Sequence, residues 1–146
     1  MIEHGFTVRG EWRGGRLGKG AMVGDGLSAV ISIPTSLDGP GLGSNPEELL
    51  LSASQGCYLI TLSVILENRK IAVEAIEITS EGFVTWEGGL HFTRIIHRPR
   101  IVLKAEAADR AEETRQAAIE TENQCMISRA MRGNVPVSIE NIVVTA

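Results

Sequence analysis

The sequence predicts an α+β fold in which one long, buried central helix packs against an antiparallel β-sheet. The first observation is an uncharged stretch of eighteen residues, Leu49 to Leu66, which is much longer than an ordinary strand. The second is the order of the elements, since strands precede this stretch and strands, helices and a final strand follow it. Apolar residues make up 43% of the 146 residues and no repeat or linker divides them, so we expect a single domain over residues 1–146.

The composition argues against several classes of function. Fourteen Lys and Arg against eighteen Asp and Glu give a net charge of −4, which leaves no basic surface for nucleic acid. Aromatic residues make up only 4%, too few for the stacking surfaces of single-strand binders. Two cysteines are too few for a disulfide scaffold, and the first residues, MIEHGFTVRGEW, do not resemble a signal peptide. We therefore expect a cytoplasmic protein, in which a cysteine pair is more often catalytic, redox-active or inert than structural.

The N-terminal third is predicted to form two strands and a loop. Alternating apolar and polar residues favour strands at Phe6 to Arg13 and Leu27 to Ile33. The tripeptide Gly24-Asp25-Gly26 between them is typical of a hairpin turn. The glycine- and proline-rich residues from Pro34 to Asn45 are predicted to form a loop.

The uncharged stretch lies in a helix whose start carries several agreeing signals. Asn45 can cap the helix, Pro46 suits its first turn, and Glu47 and Glu48 lie at the positive end of its dipole. We expect the helix to end at about residue 68 or 69. Its length approaches that of a membrane span, but the stretch contains serines, a threonine, a glutamine and a glycine. Basic loops on one preferred side of it are also missing. We therefore predict a buried helix of a soluble protein and no membrane association.

Two long strands are predicted after the helix. Apolar residues alternate from Ile71 to Trp86 and, after a turn at Glu87-Gly88-Gly89, the pattern of a strand resumes from Leu90 to Lys104. Pro99 is expected to interrupt the second strand, because proline has no N–H to donate to a sheet.

Two helices and a strand follow. The alanine-rich residues from Ala108 to Glu122 favour a helix, with Asp109 and Glu112 at the spacing of a capping box. A short helix from about Cys125 to Met131 and a last strand from Val135 to Val144 complete the order of an α+β protein.

The residues alone leave the use of the two cysteines open. Cys57 lies near the middle of the uncharged helix, where a cysteine is most often a small buried hydrophobic residue. Cys125 follows Glu122-Asn123-Gln124 at the start of the short helix, where backbone N–H groups would stabilise a thiolate. The alternative for Cys125 is a solvent-facing thiol of no consequence.

Common metal and catalytic motifs are missing from the sequence. His4, His91 and His97 are scattered, and no C-x-x-C or H-x-x-x-H grouping indicates a zinc site. The glycine-rich residues 14–20 do not match a P-loop, and there is no G-x-S-x-G or dinucleotide fingerprint. A Cys–His acyl-transfer enzyme stays open as a third class of function, because its residues would meet only in the fold.

Three motifs resemble those of one known family. The run from Ser44 to Ala53, SNPEELLLSA, followed by Gly56-Cys57, resembles the first-cysteine motif of the osmotically inducible protein C and organic hydroperoxide resistance (OsmC/Ohr) family. Residues 123–130, NQCMISRA, are similar to its second-cysteine motif, and Gly14-Gly15-Arg16 is similar to its arginine loop. The family commonly has proline directly after the second cysteine, where this chain has Met126. The resemblance covers essentially the whole chain and indicates a divergent branch.

The resemblance implies a thiol-dependent peroxidase that reduces organic hydroperoxides to alcohols without metal, flavin or other cofactor. Cys57 corresponds to the cysteine that attacks the peroxide and Cys125 to the one that resolves the sulfenic acid as a disulfide. Arg16, with Arg13 as a second candidate, corresponds to the catalytic arginine, and Glu47 to the carboxylate that orients it. The resemblance further implies an external dithiol reductant, for which a lipoyl group is one candidate, and an intertwined homodimer that builds each site from both chains.

Physical chemistry supports the role assigned to the arginine. A thiol in an apolar helix would be mostly protonated at neutral pH, so a cation close to Cys57 is needed to favour the thiolate. The Arg16 guanidinium stays charged and can form a bidentate pair with Glu47. The alternative on the same fold is a non-enzymatic redox sensor or a protein that binds a small hydrophobic ligand, since a fold does not fix a function.

Overall fold

The structure, a computed structural model, describes all residues from 1 to 146. It contains three α-helices and seven β-strands, and the chain divides into two compact units, Met1–Leu49 and Leu50–Ala146. Strands come first, a long helix follows, and strands, helices and strands complete the chain. The predicted α+β class is confirmed.

A three-stranded antiparallel sheet forms most of the first unit. Strands β1 (Arg9–Arg13), β2 (Lys19–Val23) and β3 (Ser28–Ile31) lie side by side in chain order. The two predicted strands and the turn near Gly24 are present, but the turn joins β2 to β3. The sequence does not predict β2, because its residues, KGAMV, include a glycine and an alanine and only one β-branched side chain.

The predicted loop after β3 is confirmed and is fixed by close backbone contacts. The buried hydroxyl of Ser32 donates to the carbonyl of Leu42 (2.8 Å) and accepts from its N–H (2.6 Å). Gly43 has a φ of 69°, and a Cβ there would overlap the carbonyl oxygen of Val30. Glycine is therefore the residue that this approach of the loop to β3 requires.

Helix α1 (Pro46–Asn68) begins as predicted and ends within a residue of its predicted end. The side-chain oxygen of Asn45 accepts a hydrogen bond from the N–H of Glu48 at 2.8 Å, which caps the first turn. The helix stops before Lys70, which has a left-handed φ of 55°. The buried residues of α1 share one face, and they are Ser54, Tyr58, Leu62, Ile65 and Leu66.

Only part of the apolar surface of α1 is covered within one chain. The helix is long enough and apolar enough to cross a membrane by length and composition, and 28% of its most apolar window is buried. A core helix of a soluble protein passes the same test. On the uncovered face, the side chains of Ile60 and Val64 are 68% and 46% exposed.

A four-stranded sheet forms the base of the second unit. Strands β4 (Val73–Trp86) and β5 (Leu90–Leu103) form a long antiparallel hairpin, and β6 (Val137–Ile139) and β7 (Val143–Thr145) pair in parallel with β5. The predicted single last strand is therefore wrong, because Asn141, with a φ of 49°, turns the chain between β6 and β7.

The expected interruption of β5 at Pro99 does not occur. Pro99 lies opposite Ile78 on β4, and on its other side it falls between the segments that pair with β6 and β7. No strand needs an N–H from this residue there, so the strand continues through the proline.

Helices α2 (Ala111–Gln124) and α3 (Met126–Met131) lie between β5 and β6 in the chain. The predicted capping box at Asp109 is wrong, because a 3₁₀-helix occupies Ala105–Arg110 and α2 starts after it without a side-chain cap. The Arg110 guanidinium fixes this junction, since it pairs with Glu113 and donates to the carbonyls of residues 69 and 70.

Two clusters of buried side chains form the core of the second unit. The larger joins residues of α1, β5 and α2, and its members are Tyr58, Leu62, Ile65, Leu66, Ile71, Ile101, Leu103, Ala107, Ala117 and Ala118. The smaller is built on Ile95, Met131 and Val135. The predicted packing of the long helix against the sheet is thus confirmed. In this packing the middle of α1 lies near the start of α3.

Candidate functional site

The two cysteines, 68 positions apart in the sequence, meet in the second unit. Cys57 lies in the middle of α1 and is half-buried. Cys125 lies between α2 and α3, where its extended backbone (φ −68°, ψ 120°) ends one helix and caps the next. Its side chain is completely buried, and its thiol lies near enough to Cys57 to lower the pKa of that thiol. The chain therefore presents one reachable thiol backed by one enclosed thiol.

The pKa of the Cys57 thiol is lowered from its ordinary value. Partial burial acts to raise this pKa, but hydrogen bonds to the sulfur outweigh it. The donors are the Cys125 thiol, the backbone N–H groups of Ile127 and Met126, and the Thr61 hydroxyl, whose oxygen lies 4.0 Å from the sulfur. Because donors favour the charged form of a thiol, Cys57 is the thiol set up to act as a thiolate.

The pKa of the Cys125 thiol is raised. Burial is the largest cause, and the hydrogen bond to Cys57 and the negative charge of the Cys57 thiolate add to it. The N–H and the hydroxyl of Ser128 partly offset these effects. The two pKa values are thus shifted in opposite directions, so Cys57 ionises more readily than Cys125 and is the better candidate nucleophile.

This arrangement reverses the expectation drawn from the residues alone. The sequence predicts that the N–H groups at the start of α3 stabilise a Cys125 thiolate, but those of Met126 and Ile127 act on Cys57, and only that of Ser128 acts on Cys125. Cys125 is also not the solvent-facing thiol of the alternative, because it is enclosed in the core. The cause is tertiary: α3 presents its first N–H groups to a neighbouring helix and not to the residue that caps it.

Replacing Met126 by proline is expected to raise the pKa of Cys57. Proline lacks the N–H that Met126 provides, yet it suits the first residue of a helix, and the extended Cys125 before it is compatible with proline. Loss of one hydrogen bond to a charged group should slow alkylation of Cys57 at neutral pH by about tenfold. The measurement is the pH profile of iodoacetamide labelling.

The matched control for this variant is Met126→Ala, which removes the same side chain and keeps the N–H. Its labelling profile should coincide with that of the unmodified protein. Equal profiles for the proline and alanine variants would show that the Met126 N–H does not stabilise the thiolate.

Arg16 lies in the tight turn between β1 and β2 in the first unit. Gly14 has a φ of 90°, and a Cβ on Gly18 would overlap the carbonyl of Arg13, so glycines shape this turn. The exposed Arg16 guanidinium donates to the carbonyl of Leu37 at 3.0 Å. Arg13, the second candidate, lies 3.7 Å from the carboxylate of Glu11.

Glu47 lies in the first turn of α1 and is half-buried. Its Oε2 atom is buried and has no hydrogen-bond partner. The expected pair between Arg16 and Glu47 is therefore not formed in this structure, in which the Arg16 guanidinium bonds to the Leu37 carbonyl. A buried carboxylate oxygen without a partner is costly, so this position is one that a cation or an N–H donor would stabilise.

The histidines of the second unit do not act on either thiol. Both ring nitrogens of the buried His97 are bonded to serines, and Nδ1 of the exposed His91 lies 3.3 Å from the carbonyl of Gly89. Burial lowers the pKa of His97 to about 4, so this ring is neutral at physiological pH. No group of three or more His, Cys, Asp or Glu side chains is arranged to hold a metal ion.

Comparisons with known proteins agree with this fold. The family model described as OsmC-like protein matches residues 39–140. A Bacillus subtilis (strain 168) protein named uncharacterized protein YmaD is 39% identical over 142 residues, which cover 96% of this chain and 95% of that protein. The chain belongs to the OsmC-like family, and the resemblance noted in the sequence is confirmed.

Solved structures of the same family are similar over nearly the whole chain. An organic hydroperoxide resistance protein OsmC from Legionella pneumophila has a TM-score of 0.74 and 25% identity, covering 99% of this chain and 100% of that one. The organic hydroperoxide resistance protein OhrB of Bacillus subtilis has a TM-score of 0.62 and 26% identity, covering 92% and 97%. An OsmC-like protein of unknown function from Vibrio cholerae, at 16% identity and a TM-score of 0.81 over 94% of this chain and 100% of that one, shares the fold.

Proposed function

We propose that the chain is a thiol-dependent peroxidase that reduces organic hydroperoxides to alcohols. The observation that carries the proposal is the contact between a reachable thiol of lowered pKa, Cys57, and a buried thiol of raised pKa, Cys125. The names of two similar structures, which describe resistance to organic hydroperoxides, support the choice of substrate.

In the first step, the Cys57 thiolate attacks the terminal oxygen of the hydroperoxide. The S–O bond forms as the O–O bond breaks, and the alkoxide takes a proton and leaves as an alcohol. The sulfur is oxidised to a sulfenic acid while the peroxide is reduced. Hydrogen bonds from residues 126 and 127 hold the sulfur ready for this attack.

In the second step, the Cys125 thiol condenses with the sulfenic acid. A Cys57–Cys125 disulfide forms, and the hydroxyl of the sulfenic acid leaves as water with the Cys125 proton. Because the Cys125 thiol already lowers the pKa of Cys57, the two sulfurs are close before this bond forms. Rapid closure of the disulfide protects Cys57 from further oxidation.

An external dithiol then reopens the disulfide, so the cycle needs no metal or bound cofactor. Because Cys125 is completely buried and Cys57 is half-exposed, the dithiol attacks at the Cys57 sulfur and Cys125 is the leaving thiolate. A second thiol on the same reductant then releases Cys57. A lipoyl group is one dithiol of this type.

Arg16 and Glu47 are proposed as the charged pair of the site. The Glu47 carboxylate oxygen lacks a partner, and the Arg16 guanidinium makes a single hydrogen bond to a carbonyl, so each has bonding capacity left. A guanidinium paired with Glu47 could also polarise the peroxide oxygen that leaves. Arg13 remains the second candidate for this role.

A homodimer is the proposed assembly. The uncovered face of α1 exposes Ile60 and Val64, and a groove of about 310 Å³ runs beside the end of the helix. Contiguous apolar surface of this kind is typical of an interface. The groove is lined by Ser63, Leu66, Glu67, Ile71, Val73 and Ile76. A soluble cytoplasmic dimer would bury this surface without a membrane.

A multiple-turnover assay tests the proposed activity. The reduced protein is mixed with cumene hydroperoxide and excess dithiothreitol, and the loss of peroxide is followed. We expect catalytic consumption over many turnovers, with hydrogen peroxide consumed more slowly because the leucine-rich surroundings of Cys57 favour apolar substrates. A redox sensor would react slowly, and only once when dithiothreitol is left out, and a protein that only binds a hydrophobic ligand would leave the peroxide intact.

A further inference from the structure

A buried hydrogen-bond network lies directly beside Cys57 and takes no part in the proposed chemistry. His97 of β5 is 0% exposed, and its Nε2 lies 2.9 Å from the hydroxyl of Ser54 on α1. Its Nδ1 lies 2.6 Å from the hydroxyl of Ser80 on β4. The side-chain amide of Gln55 also donates to Ser80, at 3.1 Å. One imidazole thus joins the helix to both strands of the hairpin.

The network encloses the turn of α1 that carries Cys57. Ser54 and Cys57 are three residues apart, so they are neighbours on the helix surface. Directly after Cys57, the ring of Tyr58 lies 5.4 Å from the ring of His97, and its hydroxyl donates to the carbonyl of Ala118 on α2 at 2.7 Å. Directional bonds therefore hold α1 on both sides of the reactive thiol.

Close packing of apolar side chains resists a rotation of α1, and hydrogen bonds add a directional constraint to it. A hydrogen bond weakens steeply when its angle changes. A rotation of α1 about its axis would carry the Cys57 sulfur away from Cys125 and from α3. The bonds to His97 oppose this rotation.

We propose that His97 is a positioning residue that fixes the rotation of α1 through Ser54 and so holds Cys57 against Cys125. The inference deepens the proposed function, because it assigns a residue to the disulfide-forming step. Both ring nitrogens of His97 are bonded to serines, so neither is free to bond a sulfur. By holding α1 in place, His97 raises the effective concentration of the Cys125 thiol at the Cys57 sulfur.

The effective concentration can be measured without peroxide, by equilibration with reduced and oxidised glutathione. The Cys57 thiolate attacks oxidised glutathione and releases one glutathione thiolate. Cys125 then attacks the mixed disulfide at the Cys57 sulfur and releases the second glutathione. The ratio of disulfide to dithiol protein, determined by mass spectrometry, gives the effective concentration of the pair.

Ser54→Ala is the principal variant, because it removes the bond to His97 and keeps a good helix former. We expect its effective concentration to fall about tenfold, since small displacements of reacting groups cost large factors. The effective concentration in His97→Phe, which removes both bonds, should fall at least as far. His97→Gln, which can still bond one serine, should recover part of the loss. Ser138→Ala is the matched control, because Ser138 is exposed and its hydroxyl bonds to the carboxylate of Glu140 two residues away.

A wild-type effective concentration in Ser54→Ala, measured on protein that is folded by circular dichroism, overturns the proposal. So does an equal loss in Ser138→Ala, because the effect would then not be specific to the network. A lower unfolding midpoint alone, with the effective concentration unchanged, assigns the network to stability and also overturns it. Should the unmodified protein fail to consume peroxide while Ser54→Ala still lowers the effective concentration, the proposed function falls and the positioning role stands.

Discussion

Replacing Cys57 by serine is expected to lower the rate of organic hydroperoxide consumption by at least about a thousandfold, because a serine hydroxyl is not ionised at neutral pH and is a weak nucleophile. The hydrogen bonds from Cys125, Met126 and Ile127 would remain, but they would act on a group that carries no charge. The measurement is the peroxide assay in excess dithiothreitol. Activity retained in Cys57→Ser would move the reaction to another residue.

The companion variants at Cys125 separate its two roles. Cys125→Ser keeps a hydroxyl that can donate to the Cys57 sulfur, so the first turnover should stay fast. Cys125→Ala removes the donor, so the pKa of Cys57 should rise and the first turnover should slow. Both variants lack the resolving thiol, and in excess peroxide both should accumulate the sulfinic acid of Cys57.

Stopped-flow measurement of the first turnover and mass spectrometry of the product test this pair of expectations. Sustained turnover of Cys125→Ser without over-oxidation would exclude Cys125 as the resolving residue. Equal first turnovers in the serine and alanine variants would show that the Cys125 thiol does not assist the thiolate.

The long elements of the fold could be predicted from the sequence because local signals agreed with the tertiary structure. Asn45 and Pro46 mark the start of α1, and the alternating residues of β4 and β5 mark a hairpin. The errors lie where tertiary contacts decide. Arg110 delays the start of α2 by bonding to the end of α1, and Asn141 divides the last strand with a left-handed turn.

The two cysteines of the candidate site could be predicted from their motifs, but not their electrostatics. Sequence places Cys125 at a helix start, which suggests that it is the stabilised thiolate. Only the packing of α3 against α1 shows that the N–H groups of residues 126 and 127 act on Cys57. The residues around a helix start do not show which side chain of another helix its N–H groups will meet.

The network at His97 was missed for the same reason. A lone histidine between an isoleucine and an arginine of a strand, and a serine in an uncharged helix, each carry little information. Together they are complementary, since a buried serine and a buried histidine both need hydrogen bonds. The unusual polar residues of the apolar helix, Ser54 and Gln55, were the available signal.

Acidification is expected to destabilise the folded protein through His97. Burial lowers the pKa of this ring to about 4, whereas in the unfolded chain its value is 6.5. Between these values the unfolded state binds a proton that the folded state does not, so stability rises with pH. The contribution of His97 is complete above pH 6.5 and is lost as the pH falls towards 4. The loss amounts to about 3 kcal/mol, at 1.36 kcal/mol for each pH unit of separation.

The measurement is the free energy of unfolding in urea at fixed protein concentration from pH 4 to pH 7. Carboxylates also titrate in this range, so the informative quantity is the difference between the unmodified protein and His97→Gln. The variant starts from a lower stability but should lose about 3 kcal/mol less on acidification. His91→Gln, an exposed position on the same strand, is the matched control and should keep the steeper dependence. Parallel curves for the unmodified protein and His97→Gln would mean that the imidazole accepts a proton as readily in the folded protein as in the unfolded chain, and that its bonds to Ser54 and Ser80 do not keep it neutral.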